Sequence, residues 1–245
     1  MNDSAMGCLN CAASLNDGQR FCGACGQQVR QARLTMRMIG HDLVHALTHA
    51  DHSIFALVKA LAIRPGHVAR EYIEGKRKRH FGPWAFLVIT VGLASAVILM
   101  SGVHWFRPYS DSRAADLLQR HVNLVILLQM PLLAAWCLLL FWRERLNYAE
   151  HLVFAAYTSG FHALFLAIVE TPLLALTAAD TSDIRLAIGY YGVWFAYFAF
   201  AASQFYRGNR LWLACKAAVV ALLSQAATVA LLMGIFHLLT RIIVQ

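Results

Sequence analysis

Apolar residues follow two regimes along this chain, and the change comes near Pro83. After it, five almost unbroken apolar stretches, at residues 84–106, 122–142, 151–176, 184–206 and 211–240, are separated by short polar loops. A helix of about 20 residues crosses the roughly 30 Å hydrocarbon layer, so each stretch is read as a membrane span. Before Pro83 the apolar positions recur with a helical period instead. Met36, Ile39, Leu43 and Leu47 fall on one side of a first helix, with His41, His45 and His49 at i, i+4 and i+8 on the other. Ile54, Phe55, Leu57, Val58 and Leu61 give a second helix a broad apolar face, ended by Arg64-Pro65-Gly66. A third runs from Gly66 to about Gly75, with Val68, Tyr72 and Ile73 facing inward. The pattern predicts an all-α polytopic membrane bundle at 83–245, joined through interfacial or cytosolic amphipathic helices at 32–82 to a small module at 1–31.

Composition agrees with this division. Hydrophobic residues make up 59% of the chain and charged ones 14%, against about 45–50% and 25% in ordinary soluble domains. The formal net charge is +8. Lys76, Arg77, Lys78 and Arg79 precede the first span, Arg143 and Arg145 follow the second, and Arg207, Arg210 and Lys216 follow the fourth. Basic loops stay inside, so the N-terminus is expected in the cytoplasm and the C-terminus outside. Trp84, Trp105, Trp142, Tyr148, Tyr206 and Trp212 fall near the span ends, where an aromatic belt would place them. The Lys76 to Arg79 run is expected to contact anionic headgroups, each basic residue near the surface contributing about 1 kcal/mol. Nucleic acid is not expected, because the nearest polyanion to this run is the membrane itself.

The N-terminal module has a chemistry of its own. Cys8-x2-Cys11 and Cys22-x2-Cys25 are ten residues apart, and two such turns can close a tetrahedral S4 site for one structural Zn2+. Gly7, Gly23 and Gly26 sit where such turns need a permissive backbone. The segment has too few large apolar residues for a core, so the metal would supply most of its folding free energy. Two disulfides or a redox-active CxxC are the competing readings, but no strand-to-helix junction of a thioredoxin-like unit accompanies either pair, and no secretory signal precedes them. Cys137 and Cys215 lie in or beside apolar runs and read as packing residues.

Other polar positions are weaker signals. His41, His45 and His49 are spaced to share a metal as a second site, and equally spaced to form a solvated helix face. Inside the spans, Glu150, His151, His162 and Glu170 form a candidate intramembrane polar site, with Asn123, Gln129 and Gln225 as further polar groups. His151, Thr158 and His162 can share one face, from which His162 would bond a neighbouring helix. Polar glue between helices and a transport path are both open to these residues. No GxSxG, HExxH or phosphate-cradling glycine loop occurs, and no enzymatic activity is expected.

Several motifs together resemble a bacterial family of membrane proteins catalogued as a domain of unknown function, number 3667. They are Phe21-Cys22-Gly23-Ala24-Cys25-Gly26-Gln27, Ile63-Arg64-Pro65-Gly66, Arg70-Glu71-Tyr72, Gly75-Lys76-Arg77, Pro83, and Asn147-Tyr148-Ala149-Glu150-His151-Leu152-Val153-Phe154. The resemblance implies a zinc ribbon, amphipathic helices and about five spans, and brings no activity with it. The topology is also similar to Yip-type membrane proteins, at the level of span count alone. The expected role is a non-enzymatic adaptor or assembly protein presenting the ribbon to a protein partner, as a monomer or homo-oligomer. A small-solute or metal-ion transporter is the alternative.

Overall fold

A computed structural model describes residues 7–16, 18–29, 33–36, 38, 54–105, 113–177 and 184–244. Nine α-helices occupy the described residues from 54 onward: α1 (Ile54–Ile63), α2 (Pro65–Ile73), α3 (Pro83–Ser101), α4 (Arg113–Arg120), α5 (Val122–Leu140), α6 (Tyr148–Phe165), α7 (Thr171–Thr177), α8 (Ile184–Phe205) and α9 (Arg210–Val244). A single π-turn, Leu166–Glu170, joins α6 to α7 in one continuous rod. Pro172 has no N–H to offer the carbonyl four residues back, and the helix widens just before it, Thr171 N–H reaching Leu166 O instead.

Among the described residues, four helices are long and apolar enough to cross a membrane: Pro83–Ser101, Val122–Leu140, Tyr148–Thr177 and Arg210–Ile235. The fourth expected span, α8, has 22 residues, about 33 Å at 1.5 Å per residue. Gly189, Gly192, Tyr190, Tyr191 and Tyr197 interrupt its aliphatic content, and it is not one of the four, so the count of five depends on this helix. The first expected amphipathic helix and its histidines His41, His45 and His49 lie outside the described residues, apart from Met36 and Met38.

The α6 rod is the centre of the bundle, with α3 and α5 packed along it, α9 against α5, and α8 against α9. Between Ala149 and Gly160 it is buried almost continuously. Gly160 permits its close approach to α3, since a Cβ there would meet the Phe86 ring at 2.8 Å. The backbones of α6 and α8 meet little, and aromatic rings fill the gap: Phe154 lies against Phe198 and Phe205, Phe161 on Tyr197, and His162 on Trp194 at 4.3 Å. Toward one end, α2 occupies the space between α6 and α8.

That short helix explains the Arg64-Pro65-Gly66 and Arg70-Glu71-Tyr72 strings. Pro65 starts α2, where a missing N–H costs nothing. A Cβ on Gly66 would run into the Ala201 carbonyl oxygen and lie 2.5 Å from Phe205 N. Gln204 of α8 closes the break between α1 and α2, accepting from Gly66 N–H at 3.1 Å and donating to Ile63 O. Arg70 donates to Phe205 O at the end of α8 and lies over the Phe205 ring. Glu71 holds Arg64 at 3.2 Å and His80 at 2.7 Å, and Tyr72 packs edge-on against Tyr157, whose hydroxyl donates to Phe81 O.

The loops carrying the basic clusters converge at the α2 end of the bundle. Arg207 N–H donates to Glu144 Oε1, the Arg207 guanidinium approaches Glu74, and Lys216 donates to Leu140 O. The aromatic belt is only partly present. Trp142 and Trp212 face outward, while Trp84 and Tyr206 are buried, Tyr206 stacked on Phe141 at 3.7 Å.

Candidate metal centre

Two copies of one turn build the cysteine site. In the first, Cys8 N–H bonds Ala13 O and Ala12 N–H bonds Cys8 O; in the second, Cys22 N–H bonds Gln27 O and Gly26 N–H bonds Cys22 O. The isolated bridges Gly7 to Ser14 and Phe21 to Gln28 close the two turns. The residue after each second cysteine adopts a left-handed backbone, Ala12 at φ 60° and Gly26 at φ 69°. Of the three glycines expected to need freedom, only Gly26 has a positive φ. Gly7 and Gly23 do not, and the strained position in the first turn falls on an alanine.

The four sulfurs all lie within 4.8 Å of one another. Cys8 Sγ is 3.7 Å from Cys25 Sγ, and Cys11 Sγ is 3.6 Å from Cys22 Sγ. A tetrahedral thiolate cage with metal–sulfur bonds of about 2.3 Å has edges of about 3.8 Å, so the donor set fits a closed S4 metal site. The backbone favours thiolate in the second turn. The Gln27 amide holds Cys25 down to about 6, and those of Cys25 and Ala24 lower Cys22. Cys11 is pushed up to about 12, the Ala13 amide acting against the hydrogen bonds from the other cysteines. Cys137 is buried between helices and Cys215 is exposed on α9.

The centre is mounted on the bundle by side chains whose role was not expected: Glu150 was read as an intramembrane group, and Gln27 and Asn147 figured only in family-like strings. Gln27, only 2% exposed, donates from Nε2 to Gly75 O at 2.7 Å and accepts at Oε1 from Arg77 N–H and Lys78 N–H. Gly75 turns the chain there at φ 105°. On the other side, Arg33 forms a two-pronged ion pair with Glu150 at 2.8 Å and donates to Arg145 O. Asn147 donates to Leu34 O, and Leu34 is buried. Asn147 and Glu150 also form the reciprocal cap at the start of α6. The two mounts grip α2's loop and α6's tip. Sequence offers a signal for them only in hindsight, as polar residues beside the cysteines and the Asn147 to Glu150 string.

The remaining polar candidates do not gather into one place. Glu150 and Glu170 are 20 residues apart on the α6 rod, about 30 Å, and so lie near opposite edges of a hydrocarbon layer. His151, rather than His162, makes the interhelical bond, its Nδ1 lying 2.9 Å from Tyr206 Oη. Thr158 bonds the carbonyls of its own helix. His162 Nε2 and Glu170 Oε2 are buried without a hydrogen-bond partner. Gln129 donates to Gln225, which donates to Tyr191, linking α5, α9 and α8. Asn123 lies exposed near the start of α5. Of the basic run, Lys78 and Arg79 are exposed, while Lys76 and Arg77 are half-buried, Arg77 lying over the Tyr72 ring.

Comparison with known proteins bears on the segment that carries the mount. Residues 51–94 match the model of the family described as "Protein of unknown function (DUF3667)". This stretch contains α1, α2, the Gly75 to Arg79 loop and the first part of α3. No curated protein and no solved structure matches the chain.

Proposed function

We propose, from the mount just described and the long apolar helices that carry it, that the protein is a non-enzymatic membrane adaptor or assembly protein. It would hold one structural Zn2+ at Cys8, Cys11, Cys22 and Cys25 and present the ribbon at the cytosolic face of a bacterial inner membrane. Five spans, with α8 as the fourth, would put the C-terminus outside. The observation that carries the reading is the double attachment through Gln27 and Arg33, which holds the ribbon in one orientation on the bundle. A redox module or a metal-transfer site has no need of such a fixed bearing, whereas a docking surface gains affinity from preorganisation. Leu9 and Phe21 remain exposed on the mounted ribbon as contacts for a protein partner. Lys78 and Arg79, rather than the whole basic run, would reach anionic headgroups, and the reading holds for a monomer or a homo-oligomer.

The test is crosslinking in intact membranes followed by purification, comparing the wild-type chain with Cys22→Ser/Cys25→Ser and with Leu9→Ser/Phe21→Ser. A partner retained by wild type and lost with both variants supports the adaptor. Recovery of the same proteins by all three would rule out the ribbon as the docking surface. Elemental analysis should give one zinc per wild-type chain and none in the double cysteine variant. Polar groups between helices support a second reading, a small-solute or metal-ion transporter, through the Gln129–Gln225–Tyr191 chain and the unpartnered His162 and Glu170. That reading requires solute flux in proteoliposomes that is slowed by Glu170→Gln or His162→Ala.

A further inference from the structure

The helix α1 has an apolar side that none of the described residues covers. Its inner side, Leu57 and Leu61, is buried, and it packs against α2 and α6. Its outer side consists of Phe55, Ala56, Lys59, Ala62 and Ile63, all exposed, Phe55 at 80% and Ile63 at 62%. Lys59 is the only charged residue in the helix. A helix facing water on that side would carry polar residues there, and α1 instead is apolar almost all round.

Its length and position say what it faces. Ten residues make a helix of about 15 Å, half the hydrocarbon thickness of about 30 Å, so α1 cannot cross a bilayer. It also does not sit beyond the bundle. Tyr197 Oη donates to Leu61 O at 3.3 Å, and Tyr197 lies eight residues before the end of α8, about 12 Å along that helix. The end of α1 therefore runs beside α8 within its length. Val193 and Phe200 on the neighbouring part of α8 are also exposed apolar side chains, 50% and 45%, so the outer side of α1 continues the surface that the long helices turn to lipid.

We infer that the outer side of α1 is immersed in the acyl chains of one leaflet, at the end of the bundle that carries the basic loops. Its partner is phospholipid, Lys59 extends its stem along the helix to bring its ammonium to the headgroups, and α1 is embedded in one leaflet rather than lying in the cytosol. The chain leaves the leaflet where α1 gives way to α2, Ile63 O and Gly66 N–H being held by Gln204 one residue before the end of α8, and the charge of Arg64 there is matched by Glu71. This places a short helix of the family-matched segment inside the membrane, beside the spans it packs on.

The experiment is photolabelling of the full-length protein in liposomes with a phospholipid bearing a diazirine near the end of one acyl chain, read by peptide mass spectrometry. Adducts on Phe55 and Ile63 are expected at a yield comparable with Leu231 and Met233 of α9, which are exposed on a long apolar helix. Phe21, exposed to 61% on the ribbon, is the control for an aromatic side chain in water and should stay unlabelled. Adducts on α9 with none on α1 would overturn the inference and leave the membrane bundle standing. Absence from α9 as well would remove both.

Discussion

Replacing Gln27 by alanine tests whether the ribbon is mounted as described. The side chain makes three bonds to the α2–α3 loop, at 2.7 Å to Gly75 O, 3.1 Å from Arg77 N–H and 3.3 Å from Lys78 N–H. Two of the three are short enough to count in full, and a net contribution of about 0.5–1.5 kcal/mol each gives about 1–3 kcal/mol for the mount. Since 1.4 kcal/mol is tenfold, the equilibrium between seated and released ribbon should shift by about 5- to 150-fold. Gln27 offers no metal ligand, so metal content should not change. The measurement is amide hydrogen exchange in lipid nanodiscs. Arg77 and Lys78 should lose protection by about that factor, while the Tyr157 region of α6 keeps its own. Gln27→Glu should fall between, because it still accepts from the two amides but cannot donate to Gly75 O. Unchanged protection at Arg77 and Lys78 in Gln27→Ala would refute the mount, and with it the fixed orientation on which the adaptor reading depends.

Three further outcomes follow from particular residues. Ala12→Gly should stabilise the ribbon by about 0.4–1 kcal/mol, visible as slower metal loss to a chelator, because Ala12 holds the φ of 60° that Gly26 adopts freely in the sister turn. Gly66→Ala should cost about 1–3 kcal/mol or more in thermal unfolding, since the added methyl meets the backbone of α8 at Ala201 and Phe205 rather than a movable side chain; Gly92→Ala, in open space on α3, should do little. Acidification should loosen the α2 loop in two steps. Burial lowers His80 against the pull of Glu71; Glu71 is itself raised by burial but held below its usual range by His80, Arg64 and Arg79. In both cases the unfolded chain takes up the proton first, so stability is complete above about pH 7. It falls as pH passes about 6.5 for the histidine, and again below about 4.3 for the carboxyl. His80→Asn should remove the upper step of a stability profile taken by thermal unfolding in detergent and leave the lower.

The sequence was most legible where one physical effect dominates. Long apolar runs located five long helices, with starts within three residues and ends within five of those observed, and the 54–63 and 65–73 helices follow from their apolar period and Arg64-Pro65-Gly66. The cysteine spacing likewise led to a cluster with the dimensions of a metal cage. Contacts between distant parts of the chain were not legible, because periodicity carries no information about partners. Gln27 is 48 residues from Gly75 and Arg33 is 117 from Glu150, and no local pattern marks either. Glu150 illustrates the point: an apolar context suggested a group within the membrane, but its capping role and its ion pair belong to the tip of α6. The glycine argument failed for a similar reason. A CxxC turn requires one left-handed residue, and which position takes it depends on hydrogen bonds that composition does not reveal. The α1 and α2 helices were read as interfacial or cytosolic amphipathic elements outside the bundle, yet α2 is the filler that lets α6 and α8 stay apart.

That filler has a consequence for synthesis. Gly66 and the Gln204 that seats it are separated by 138 residues, so α2 leaves the ribosome long before α8 exists. Until α6 is made the slot between α6 and α8 has no wall, and until α8 is made it has only one, so α1–α2 must wait without its berth. The apolar α1 gives the waiting segment a resting place in lipid, and α8 closes over it late, just before α9 packs against α5 and α8. A chain stopped before α8 would expose Gly66 and the facing side of α2 as an open seam, a natural target for membrane quality control.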